Sequence, residues 1–175
     1  MAATVITNIG TIVSGLIDQP ILKGDVIVIK DGKIESVGGQ ELIDALKKEA
    51  VEIKTIDAGG MTVTPGLIDS HTHPVIGDYT PRQKMADFIE SSIHGGVTTM
   101  ISAGEVHTPG RPTDPAGVKA LAILANKSFA LLKPGGVKVI AGSVILEKGL
   151  PEADLAEWRE ARTGGGPGGE RVGEG

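Results

Sequence analysis

In the stretch TPGLIDSHTHP, residues 64–74, two of the chain's four histidines stand one residue apart, with an aspartate two residues before the first. On an extended strand residues i and i+2 project from the same face, which puts Asp69, His71 and His73 on one side of the chain. Two neutral imidazoles side by side can both reach a single metal ion, and zinc takes such nitrogens at about 2.0–2.1 Å. Asp69, if it does not itself ligate, could accept a ring N–H and hold a ligand histidine in place. A bare His-x-His is more often a pair of solvated or loop-bonded rings, so its surroundings decide between the two. His107 and Arg111, in EVHTPGRP, are the other candidates, either as substrate contacts or as members of a solvated loop. His94 lies at the end of a predicted helix, where a cation complements the helix dipole, and is read as a cap.

The elements that must position these groups alternate from Leu67 onward. LIDSHTH reads as a strand, PRQKMADFIESSIHGG as a helix, VTTMISAG as a second strand and DPAGVKALAILANKSFALLK as a second helix. VKVIAGSVIL reads as a third strand and PEADLAEWREA as a third helix. Strands and helices in this rhythm predict parallel βαβ units with right-handed crossovers. His71 and His73 then fall at the C-terminal end of the first strand, and the loop with His107 and Arg111 leaves the same end of the second. Barrels of this type carry their active sites at that end.

Ahead of this region, TVIT, GTIVSG, DVIVIK and KIESV predict a small antiparallel sheet, with Asp31-Gly32 as a hairpin turn. QELIDALKKE predicts a short amphipathic helix, VEIKTIDA another strand, and GGMTVTPG the exit from the module. The predicted fold class is therefore α/β. Residues 1–63 form a small β-sandwich module and 64–162 the first three βα units of an incomplete (β/α)8 TIM barrel. Residues 163–175 are a Gly-rich tail expected to be disordered, because it has too little apolar surface to offset its ordering entropy. A phosphate-binding loop there is disfavoured, since no strand leads into the glycines and no Lys-Ser or Lys-Thr follows.

Composition bounds the chemistry. The chain has 175 residues, well short of the about 250 of a complete barrel. With 40% hydrophobic and 22% charged residues it reads as globular. It has no cysteine, which excludes thiol catalysis and Cys-ligated zinc and suits a cytoplasmic setting. The net charge of −5 and the scattered lysines and arginines argue against a nucleic-acid partner. MAATVITNIG has neither the positive flank nor the long apolar run of a signal peptide, and no uncharged run approaches membrane-spanning length, so no membrane role is expected.

DGKI, IDAGG, VTPGLIDSHTH and HGGVTT together resemble the amidohydrolase superfamily of metal-dependent hydrolases. DYTPRQKMADFIESSIHGGVTTMISAG, HTPGRP and VILEKGL are similar to its enamidase branch. The resemblance implies an enzyme that opens the C–N bond of a cyclic amide, a lactam of the 6-oxo-tetrahydronicotinate type, with water activated by one or two divalent ions, zinc first. It makes His71 and His73 metal ligands, and it implies a homo-oligomer for the full-length protein. Dihydroorotase-, hydantoinase- and imidazolonepropionase-like activities stay open, as does a non-catalytic fragment. The superfamily also draws a bridging carboxylate or carboxylated lysine, further histidines and a proton-shuttling aspartate from later strands. Those strands have no counterpart here. Glu170 and Glu174 lie in no credible strand and are not assigned, so the chain reads as an N-terminal portion whose catalytic group is unknown.

Overall fold

The protein is described from a computed structural model, which covers residues 2–77, 84–104 and 110–143. The chain divides into two compact units, 1–65 and 66–175. His107, the third predicted helix and the Gly-rich tail lie outside the described residues.

The first unit contains β1 (Ala2–Thr7), β2 (Thr11–Val13), β3 (Ile21–Leu22), β4 (Val26–Lys30) and β5 (Lys33–Gly38). After these come α1 (Gln40–Lys48), β6 (Glu52–Asp57) and β7 (Thr62–Val63). A four-stranded sheet in the order β5-β4-β1-β6 packs against a three-stranded one in the order β3-β2-β7. Ile9, Ile12, Ile27 and Ala58 are buried between them, with Leu22 and Val63 alongside. On the other side of the larger sheet Ala3, Val5, Val26 and Val28 pack on Leu46 of α1, with Leu42 and Ile43 at the margin. That two-sided cover explains why β4 reads VIVI without polar alternation.

The hairpin between β4 and β5 turns on Asp31 (φ 51°) and Gly32 (φ 74°), the two left-handed positions a two-residue loop requires. The pairs among the first five strands are antiparallel as expected, β1 with β4, β4 with β5 and β2 with β3, whereas the two later strands join in parallel. β6 runs parallel to β1, from Ala2 opposite Glu52 to Thr7 opposite Asp57, and β7 runs parallel to β2. The reason is α1, which carries the chain from β5 across β4 and β1 to the far edge. A crossover of this kind returns the chain in the direction of the strand it left, which is also that of β1.

The end of β6 is tied down by Asp57. Its Oδ1 accepts the Gly59 N–H at 2.8 Å and the Asn8 side-chain amide at 3.0 Å. The Gly59 bond first, then Asn8, hold this carboxyl below its ordinary value of 3.8. A depressed folded pKa means the contribution is complete above the unfolded value and is lost as pH falls through the folded one. Asp57→Asn should therefore flatten the acid end of the stability profile and leave its neutral shape alone. Melting temperatures of both proteins across about pH 3 to 7 check this; parallel profiles would remove Asp57 from the acid response.

The second unit contains β8 (Leu67–Thr72), α2 (Met85–Ser92), β9 (Val97–Ser102), α3 (Pro115–Leu131) and β10 (Lys138–Ile140). His94 lies in the 3-10 turn Ile93–Gly95 that ends α2, as its reading as a cap requires. The three strands are parallel and in sequential order, β10-β9-β8, as successive βα units demand. The helices bury one side of this sheet. Ile89 of α2 and Ala125 and Phe129 of α3 pack with Met100, Val137, Val139 and Ala141, all 5% exposed or less. Asp114 caps α3 by accepting the Gly117 N–H at 2.9 Å, with Pro115 at the first helical position. Among the described residues no helix is long and apolar enough to cross a membrane.

Candidate functional site

β8 starts and stops for local reasons. A Cβ on Gly66 would run into the Thr98 side chain, so only glycine lets the strand enter this close to β9. Pro74, buried and without an N–H, cannot extend the ladder beyond His73. Between these ends the β8–β9 register shifts: Asp69 pairs with Met100 and Thr72 with Ser102, three steps against two. One extra residue is thus bulged out at Ser70–His71. Such bulges re-aim side chains and gather beside functional sites.

Thr72 is buried, its flanking His71 is exposed and His73 is half-buried. The two rings meet edge to face, centroids 5.1 Å apart at 87°. His73 Nδ1 is 2.8 Å from the Gly104 carbonyl oxygen. A carbonyl only accepts, so Nδ1 carries a proton, and in a neutral ring the lone pair is then on Nε2, the form a metal ligand needs. Asp69 Oδ1 accepts the His71 backbone N–H at 3.1 Å, an Asx turn across the bulge, and not a ring N–H as expected from strict alternation. The extra residue in the strand interrupts that alternation between Asp69 and His71.

Arg111 is half-buried in the segment between β9 and α3, on the connection that leaves the C-terminal end of β9. Parallel pairing of Thr72 with Ser102 sets this end beside the histidine end of β8. Ser102 and Gly104, which sequence reasoning did not single out, also lie at the histidine end of β8, Ser102 as the register partner of Thr72 and Gly104 through its carbonyl against His73. The small-residue run Ser-Ala-Gly at the end of a strand was the available signal.

Two side-by-side imidazoles, one with its tautomer set by a carbonyl, are a donor set suited to zinc. Among the described residues no group of three or more His, Cys, Asp or Glu gathers to complete a cage. These residues therefore supply two donors, against the three or four protein ligands of a stable zinc site.

Over 160 residues the chain is 57% identical to the enamidase of Eubacterium barkeri, a match that covers 91% of this chain and 40% of that protein. The solved structure of an enamidase, described as a new member of the amidohydrolase superfamily, matches with a TM-score of 0.80 over the same shares. The chain belongs to the amidohydrolase superfamily. It spans about 40% of the length of that enamidase. More distant matches include imidazolonepropionases. One from Geobacillus sp. (strain WCH70) is 35% identical over 82 residues, 43% of this chain and 19% of that protein. Another from Solibacter usitatus (strain Ellin6076) is 32% identical over 117 residues, 64% and 26% of the respective chains. No protein-family profile matches the chain. With this relationship, β8, β9 and β10 with their helices are the opening βα units of an amidohydrolase barrel, and the two packed sheets are its small β module.

Proposed function

We propose that this amidohydrolase acts on a cyclic amide, hydrolysing the ring C–N bond of a lactam of the enamidase type, and that His71 and His73 are its first two metal ligands. The observation that carries the proposal is the pair of histidines at the C-terminal end of β8, the tautomer of His73 set by a carbonyl, in a chain 57% identical to an enamidase. A bound divalent ion, zinc first, would supply an acidified water and polarise the amide carbonyl. This chain's part is to present two imidazole nitrogens from one strand end, to hold the His73 ring through the Gly104 carbonyl, and to shape the backbone at His71 through Asp69.

A chimera tests the reading. The 160 matched residues of this chain replace their counterpart in the Eubacterium barkeri enamidase, and ammonia release from 6-oxo-tetrahydronicotinate is followed. Activity within about tenfold of the parent is expected, a loss of no more than about 1.4 kcal/mol in transition-state stabilisation. A folded, zinc-loaded and inactive chimera would refute the substrate assignment.

Arg111 is proposed to read the substrate's ring carboxylate, because a guanidinium can grip a carboxylate with two parallel hydrogen bonds. His107 would add a hydrogen bond from the same connection. Losing a charge-assisted pair costs about 1.5–3 kcal/mol. In the chimera, Arg111→Ala should lower kcat/KM by roughly ten- to a hundredfold on the carboxylated lactam and little on its carboxyl-free analogue. Equal losses on both substrates would make Arg111 a support of the loop instead.

A further inference from the structure

We propose that Ser102 is a positioning residue for the metal site, acting through Gly104 to set the tautomer and direction of His73. The inference rests on His73 being a ligand, as argued above, but its first readout does not require a metal.

The chain of contacts begins in the buried interior. Ser102, the last residue of β9, is 1% exposed. Its Oγ accepts the N–H of Gly104 at 3.2 Å. The backbone between them is held as well, since the Ala103 N–H donates to the Thr72 carbonyl at 2.8 Å. Thr72, the register partner of Ser102, immediately precedes His73. Both sides of the contact are thus anchored to the same rung of the β8–β9 ladder. Gly104 itself has φ 111°, a conformation that L side chains rarely adopt. In that conformation its carbonyl lies 2.8 Å from His73 Nδ1.

Buried hydroxyls at strand ends normally satisfy a neighbouring backbone group, and that alone would be a structural role. What raises Ser102 above it is the recipient. The peptide it restrains belongs to the residue whose carbonyl selects the proton position on a candidate ligand ring. Without the Ser102 hydroxyl, Gly104 is free to explore the wide φ/ψ range open to glycine, and its carbonyl loses its fixed aim. His73 would then relax toward Nε2–H, the wrong form for binding a metal through Nε2. Outer partners of this kind change metal affinity by about 10- to 100-fold when removed. Ser102 is one step further out than Gly104, so the lower end of that range is expected.

The test uses the whole chain, wild type against Ser102→Ala, with two measurements. Long-range ¹H–¹⁵N correlation spectra at alkaline pH, without metal, report which ring nitrogen of His73 carries the proton. Zinc titration reports affinity. The expected result is Nδ1–H in the wild type, a mixed or Nε2–H ring in Ser102→Ala, and about tenfold weaker zinc binding. Should Ser102→Ala fail to fold, Ser102→Cys decides, because a thiol of similar size is a weaker acceptor and should give an intermediate tautomer ratio. An unchanged His73 tautomer in the folded variant overturns the proposal. If the tautomer shifts while zinc binds neither the wild type nor a His71→Ala variant, the positioning role stands and the metal assignment falls.

Discussion

Replacing either His71 or His73 by alanine in the enamidase chimera should reduce kcat/KM for the lactam by at least about a thousandfold, the largest effect expected of any substitution in this chain. A bound ion contributes several kcal/mol of transition-state stabilisation, and each 1.36 kcal/mol is tenfold in rate. The rings are close enough to serve one ion, with centroids 5.1 Å apart, so the double variant should be little worse than either single one. Activity and zinc content are to be measured together, because loss of both assigns the histidines to the ion. Retention of zinc at parental stoichiometry in the double variant would place the metal elsewhere. In the 175-residue chain alone, where two donors are in place among the described residues, zinc binding should be weak and should vanish in the same double variant.

Phe129→Ala should destabilise the second unit by about 3–5 kcal/mol. Phe129 is 1% exposed and lies among Ile89, Ala125, Met100, Val137 and Val139, where α3 meets the parallel sheet. Removing the ring takes its transfer energy and leaves a cavity that the surrounding strands and helices fill only in part. The first unit has its own buried clusters around Val5 and Val28 and around Ile12 and Ile27. Hydrogen exchange should therefore show lost protection at amides of β8, β9 and β10 with little change in β1 and β4. Equal loss in both units would show that they unfold as one. Because the Ala103 and Gly104 contacts extend β9, the same variant should weaken zinc binding without touching a ligand.

What the sequence determined by itself is what depends on neighbours along the chain. Asp31-Gly32 between two β-branched runs specifies its hairpin locally, since two residues must reach positive φ and these two can. Asp114-Pro115 announces the start of α3 in the same way. The alternation of strand and helix after Leu67 implies parallel units, because a crossover helix returns the chain in its original direction. His71 and His73 were legible as a pair from their spacing. The superfamily was legible in the motifs around them.

Partners distant in sequence were left to the tertiary structure. β1 and β6 are some fifty positions apart, and nothing in VEIKTIDA states that its partner is β1 or that the pairing is parallel. That followed from α1 covering the Ala3–Val5–Val26–Val28 face, a choice made by burial. The bulge at Ser70–His71 depends on β9 as much as on β8, since register belongs to a pair of strands. It moved Asp69 from the rings to the backbone of His71. The link from Ser102 through Gly104 to His73 joins residues some thirty positions apart. Spacing can put two histidines on one side of a strand. Which ring nitrogen holds the proton is set by a carbonyl from the neighbouring strand end, and only the folded chain brings that carbonyl there.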